Sequence, residues 1–143
     1  MSNRSLKPKK IYIAALSFNR PNVFIKSIKK LLNNLFFLDP MIKYEIKIFD
    51  DCSSVKNFNK IKSCISSYKN KNISIVRNKK NIGFAKNYFS AINWYINEND
   101  INSVFYVHES DLYLEINWLK KCMLLFQFDN NRVICPLHHR NHL

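Results

Sequence analysis

The sequence predicts an α/β domain built on a mostly parallel sheet covered by helices, and three observations predict it. Short apolar runs alternate with longer segments of helical period, in the order β-α-β-α-β-α-β-α-β. The connections between them are a few residues long and no low-complexity linker or internal repeat interrupts them. The length of 143 residues suits one domain, and 47% hydrophobic content with 14% aromatics can fill its core.

Each element follows from local chemistry. Residues 1–10 carry Arg4, Lys7, Lys9 and Lys10 without an acid, and read as a basic arm. Residues 11–16 are continuously apolar, as a strand buried on both faces must be. Pro21 suits a helix's first turn, and Phe24, Ile28, Leu31, Leu32 and Leu35 follow at helical spacing until Asp39-Pro40. Residues 44–49 form a second strand that runs into Asp50-Asp51-Cys52-Ser53-Ser54, where Asp51 or Ser53 is the expected helix cap. Val55, Phe58, Ile61, Ile65 and Tyr68 mark the next helical face. Residues 73–76 form a third strand. A third helix follows Gly83, with Ala85, Phe89, Ile92 and Ile96 as its expected inner stripe. Residues 104–107 form a fourth strand, ending at His108-Glu109-Ser110-Asp111. A fourth helix carries Trp118, Cys122, Leu125 and Phe126, and residues 133–135 are expected to form a fifth strand before a tail with three histidines.

Composition excludes several functions. There is one glycine, where average usage of about 7% would supply about ten. Neither G-x-G-x-x-G nor the P-loop can be written with it, so a bound phosphate must be met by another device. The formal charge is +13, from 23 Lys+Arg against 10 Asp+Glu, which favours anionic partners. Cys52, Cys64, Cys122 and Cys135 form no C-x-x-C pair, which leaves zinc ribbons and thioredoxin-like motifs unsupported. No apolar run approaches the roughly 18 residues of a membrane span, and no apolar leader core follows the basic start. Free thiols and a cytoplasmic setting are expected, with the basic arm able to hold the chain at an anionic membrane surface.

The few acids are placed unevenly. Asp50 and Asp51 follow the second strand, and Glu109 and Asp111 follow the fourth. Ligands of open parallel sheets bind beyond the carboxyl ends of the strands. In an extended segment the side chains of Glu109 and Asp111 would leave the same face, and two such carboxylates suit a hard cation such as Mg²⁺ or Mn²⁺. The plainer reading is that Asp111 starts a helix and Glu109 is a surface acid. Asp51 has two readings as well, a cap or an acceptor for the ring N–H of a pyrimidine.

Four blocks in order resemble family 2 glycosyltransferases of the GT-A fold. IAALSFNRP (13–21) resembles the first strand and its S/T-[FY]-N-R ending, and EIKIFDDCSS (45–54) the second strand with D-D-x-S. RNKKNIGF (77–84) is similar to the N-x-x-N-x-G segment, and FYVHESDLYLEINW (105–118) to the strand ending in D-x-D. The resemblance covers residues 11–137 and implies a Rossmann-like three-layer α/β/α sandwich that binds a nucleotide-sugar, UDP- or GDP-linked, with Mn²⁺ or Mg²⁺. It implies transfer of the sugar to a glycan, lipid or protein acceptor hydroxyl. It places Asp51 at the nucleobase beside Ser17, Phe18 and Asn19, with Asp50 adjoining, puts Gly83 in a turn beside the nucleotide pocket, and puts Lys86 near the diphosphate. Asp111 becomes a metal ligand and Glu109, standing where the family has its first Asp, reaches ribose or metal. Asn87 lies four residues past Gly83, one or two short of the family's asparagine, and receives no role.

The family's general base lies downstream of D-x-D, in a half that also binds the acceptor. Nothing in residues 135–143 matches it, so the chain is expected to be a fragment, a truncated product or one part of an assembly. Cys135, His138, His139 and His142 cluster in the tail 138–143 and just before it, at spacings that fit no zinc module, and an irregular exposed tail is expected there. The alternative from another class is a non-catalytic basic module for nucleic acid or an anionic membrane. It leaves the four strand-end acids unexplained, since they would oppose a polyanion, and no nucleic-acid partner is expected.

Overall fold

A computed structural model describes residues 8–68 and 72–128. Its elements run β1 (Lys10–Ser17), α1 (Pro21–Phe36), β2 (Lys43–Asp50), α2 (Val55–Ser67), β3 (Ile73–Arg77), α3 (Phe84–Glu98), β4 (Ser103–His108) and α4 (Trp118–Phe128). The alternating order is the expected one, with each strand one or two residues longer than its apolar run. The expected fifth strand and the histidine tail lie outside the described residues.

The sheet has the order β3-β2-β1-β4 and every pairing is parallel. β1 lies between β2 and β4 and is buried on both faces, which is why it reads as an unbroken apolar run. Alternate residues leave it in opposite directions. Ile11, Ile13 and Ala15 join the core formed with Phe24, Ile28 and Leu31 of α1, Ile61 and Ile65 of α2, and Leu119 and Met123 of α4. Tyr12, Ala14 and Leu16 join a second core with Phe49 of β2 and with Ala91 and Trp94 of α3. The result is three layers, with α1, α2 and α4 on one face and α3 on the other. Right-handed crossovers require α1 and α2 to lie opposite α3, because the chain advances from β1 to β3 in one direction and returns across the sheet to β4 in the other.

That return makes a topological switch point between β1 and β4, the place where open α/β sheets hold ligands. Register brings the strand ends together there. Ser17 pairs with Asp50, Ala15 with His108, and Asp50 with Arg77.

Three expected faces change. On α3 the buried residues are Asn87, Ala91 and Trp94, whereas Phe89 and Ile96 are 61% and 62% exposed. Two apolar stripes compete on this helix, and the one with more aromatic surface faces the sheet. Trp94 meets Tyr12 and Phe49 at ring-centroid distances of 5.5 and 5.9 Å, and Tyr95 stacks on Phe105 at 4.8 Å. The same rotation lets the Asn87 amide donate to the Phe49 carbonyl at 3.1 Å. On α4, Leu119 and Met123 are buried against the core beneath α1 and Trp118 packs on Tyr106 of β4, while Leu125 is exposed on the outer side. On α2, Val55 is exposed, and the cap is neither Asp51 nor Ser53. Ser54 takes that place and accepts from the Asn57 N–H at 3.3 Å. Among the described residues no helix is long and apolar enough to cross a membrane, and Cys52, Cys64 and Cys122 are free.

Candidate functional site

Four loops meet at the carboxyl end of the sheet. The loop after β1 is held by Asn19, which adopts a positive φ of 47°. Asparagine enters that region more readily than most residues other than glycine. Its N–H donates to Ser53 Oγ at 2.8 Å, and its side-chain oxygen accepts from the Ser54 N–H at 2.7 Å. The β1 and β2 ends are thereby locked together, with Phe18 left 44% exposed at the rim.

The paired aspartates divide into two structural tasks. Asp50 is fully buried. One oxygen accepts from the hydroxyls of Ser17 and Ser53, and the other accepts from the Ser53 N–H at 3.0 Å and faces Arg77 Nε at 3.6 Å. Arg77 also donates to the Ser53 carbonyl and lies over the Phe58 ring. Asp50 therefore supports the mouth from beneath and does not line it. Asp51 is 3% exposed and holds the loop after β3. Its Oδ1 accepts from Asn78 Nδ2 at 3.0 Å and the Ile82 N–H at 2.9 Å, and its Oδ2 from the Gly83 N–H at 2.9 Å. Three of about four lone-pair positions are thus occupied. Asn78 passes the link on to Asn87 Oδ1 at 3.1 Å.

Gly83 caps α3 with φ 84° and ψ 157°, a region open essentially to glycine alone. No atom lies within 4 Å of where a Cβ would stand, so the requirement is torsional. Lys86 projects from the first turn of α3 and is exposed.

The loop after β4 is a turn, closed by the Leu112 N–H donating to the Glu109 carbonyl at 3.1 Å. Glu109 and Asp111 are both exposed at the mouth. The expected extended geometry is therefore corrected, because the chain bends at once after β4. Asp111 Oδ2 lies 3.5 Å from Arg20 Nη1, across the switch point from the β1 loop. Among the described residues no group of three or more His, Cys, Asp or Glu side chains converges into a metal cage.

A buried chain of hydrogen bonds holds this turn from inside. Ser27 Oγ of α1 lies 2.6 Å from the Leu112 carbonyl and 2.6 Å from His108 Nε2. Ser27 has one hydroxyl hydrogen, and the carbonyl can only accept. The hydroxyl therefore donates to Leu112, His108 donates from Nε2 to Ser27, and His108 Nδ1 accepts from the Tyr106 hydroxyl at 3.0 Å. Burial pushes the His108 pKa down to about 4, against a smaller upward effect of the Ser27 bond. Burial also pushes the Tyr106 phenol up. His108 is thus a neutral structural histidine. Arg20, Ser27, Asn78 and Asn87 received no role from the sequence. For Ser27 a signal existed, since a serine inside the stripe Phe24, Ile28, Leu31 needs a polar partner.

The model of glycosyl transferase family 2 matches residues 12–141. The chain belongs to this family. No curated protein sequence matches it. Among solved structures, this family 2 chain is similar to S. aureus TarS 1-349 in complex with UDP. The TM-score is 0.61 at 18% identity, over 83% of this chain and 32% of that one. It is also similar to mannosyltransferase PcManGT from Pyrobaculum calidifontis in complex with GDP-Man and Mn²⁺. There the TM-score is 0.59 at 8% identity, over 75% of this chain and 29% of that one. The fold is GT-A, and the chain spans about a third of the length of these relatives.

Proposed function

We propose that this chain is the donor-binding part of a glycosyltransferase, holding a nucleotide-diphosphate sugar and a divalent cation for transfer of the sugar to an acceptor hydroxyl. The observation that carries this is the turn after β4. It presents Glu109 and Asp111 to solvent at the β1–β4 switch point of a family 2 chain, whereas Asp50 and Asp51 are buried. The complexes of PcManGT with GDP-Man and Mn²⁺ and of TarS with UDP support the ligand class.

The donor set fits a hard cation. Mg²⁺ and Mn²⁺ take oxygen ligands, and a cation completed by substrate needs only one or two carboxylates, the rest being water and diphosphate. Asp111 would be the first ligand, with Glu109 the second or turned to the ribose. Such a cation supplies charge stabilisation to the leaving diphosphate. The chain's own residues orient the donor. Asp51 offers its remaining lone pair to the nucleobase N–H, and the Ser17-Phe18-Asn19 backbone flanks the base. The loop that Asp51 ties down sets Gly83 and Lys86 beside the diphosphate.

Thermal unfolding with UDP- and GDP-sugars, each with and without Mn²⁺, tests the proposal. Protection by at least one nucleotide-sugar, larger with Mn²⁺, is expected. Absence of protection in every condition would remove it. Asp111→Ala should leave the unliganded midpoint unchanged and abolish the Mn²⁺-dependent part.

A further inference from the structure

We infer that Arg20 is an exchangeable cation of the donor site, pairing with Asp111 when the site is empty and with the donor diphosphate when a divalent cation takes Asp111. The inference rests on the donor-site reading above and adds a positioning residue and a binding linkage to it.

The geometry separates what is fixed from what can swing. The backbone of Arg20 is anchored on both sides. Its carbonyl accepts the first helical bond of α1, from the Phe24 N–H at 3.0 Å, and Pro21 follows it. Asn19 before it is tied to Ser53 and Ser54. Its side chain is 60% exposed, and among the described residues its one ionic partner is Asp111 at 3.5 Å. The partner is arranged alike, as Ser27 and the Glu109–Leu112 bond hold the turn while the Asp111 side chain is 57% exposed. Two rigid supports therefore present opposite mobile charges to each other across the switch point.

A divalent cation on Asp111 would sit about 2 Å from the oxygen that Arg20 now faces. Like charges at that separation repel, so the guanidinium must leave as the cation arrives. Its planar fork matches the oxygens of a phosphate, and an anchored Cα keeps it within the mouth. Arg20 therefore opposes the cation alone and favours cation and nucleotide together. Thermodynamic linkage makes the two ligands raise each other's affinity.

Mn²⁺ binding, read from the electron paramagnetic resonance of the free ion with and without UDP or GDP, tests this on the full chain. Arg20→Ala should unfold at the wild-type midpoint, since the residue is exposed. It should bind Mn²⁺ alone about two- to fivefold more tightly, the value of an exposed ion pair. It should also lose about tenfold of the enhancement that nucleotide gives. Arg20→Lys should restore the weak binding of Mn²⁺ alone and only part of the enhancement, because it keeps the charge and lacks the fork. Unchanged or weaker Mn²⁺ binding in Arg20→Ala, or an undiminished nucleotide effect, overturns the inference. Failure of the wild type to bind either nucleotide with Mn²⁺ overturns the donor-site proposal itself, and is seen before any variant is compared.

Discussion

Lowering the pH from 7 to 5 is expected to destabilise the fold through one side chain, His108. The imidazole is fully buried between Ser27 and Tyr106, and its pKa falls from 6.5 to about 4 on folding. The unfolded chain then binds more protons than the folded one between these values, so stability is complete above pH 6.5 and drains away as the pH falls toward 4. At pH 5 the unfolded imidazole is almost wholly protonated and the folded one almost wholly neutral, which amounts to about 2 kcal/mol. Protonation also forces the Tyr106 hydroxyl off Nδ1, as both ring nitrogens become donors. Urea unfolding at the two pH values measures the effect, expected as a shift of about 1 M in midpoint at a slope of about 2 kcal/mol/M. The comparison is with His108→Gln, whose amide can still donate to Ser27 and does not titrate. Every other titratable group is common to the two proteins and cancels in the comparison. Equal pH dependence of wild type and variant would refute the buried neutral histidine and the hydrogen-bond order derived from it.

Gly83→Ala should cost about 1–3 kcal/mol in urea unfolding through backbone strain alone, since nothing lies near the added methyl; a neutral result would contradict the positive φ. Asp50→Asn should cost about 3 kcal/mol, at the low end for a broken buried pair because Arg77 is one-third exposed. Trp94→Ala should cost about 3–5 kcal/mol and Phe89→Ser less than about 0.5, and the reverse order would restore the stripe expected from spacing alone.

Much of this molecule is legible in one dimension. Apolar runs with turn chemistry at their ends locate four strands and four helices, and the continuous run 11–16 already marks a central strand, because burial on both faces leaves no polar position. The crowding of Asp50, Asp51, Glu109 and Asp111 at two strand ends points to the mouth of the sheet, since parallel strands all end on one side. The likeness in four ordered blocks identifies the family, which the family model bears out over residues 12–141.

Other features depend on contacts between distant residues, which spacing cannot express. The sequence of α3 offers two apolar stripes, and only the aromatic partners Tyr12, Phe49 and Phe105 on three strands select one. D-D-x-S shows two equivalent acids. The fold buries both, giving Asp50 to Arg77 and the serines and Asp51 to the amides of Ile82 and Gly83. Glu109 and Asp111 look extended in sequence, yet Ser27, more than 80 residues earlier, helps to hold them on a turn. Arg20 and Asp111 face each other only because the chain crosses the sheet after β3 and sets β4 beside β1. Local periodicity thus determined the elements and their order. The tertiary structure decided which charges are buried and which remain free to bind, because desolvation and hydrogen-bond partners are properties of the assembled sheet and not of any one segment.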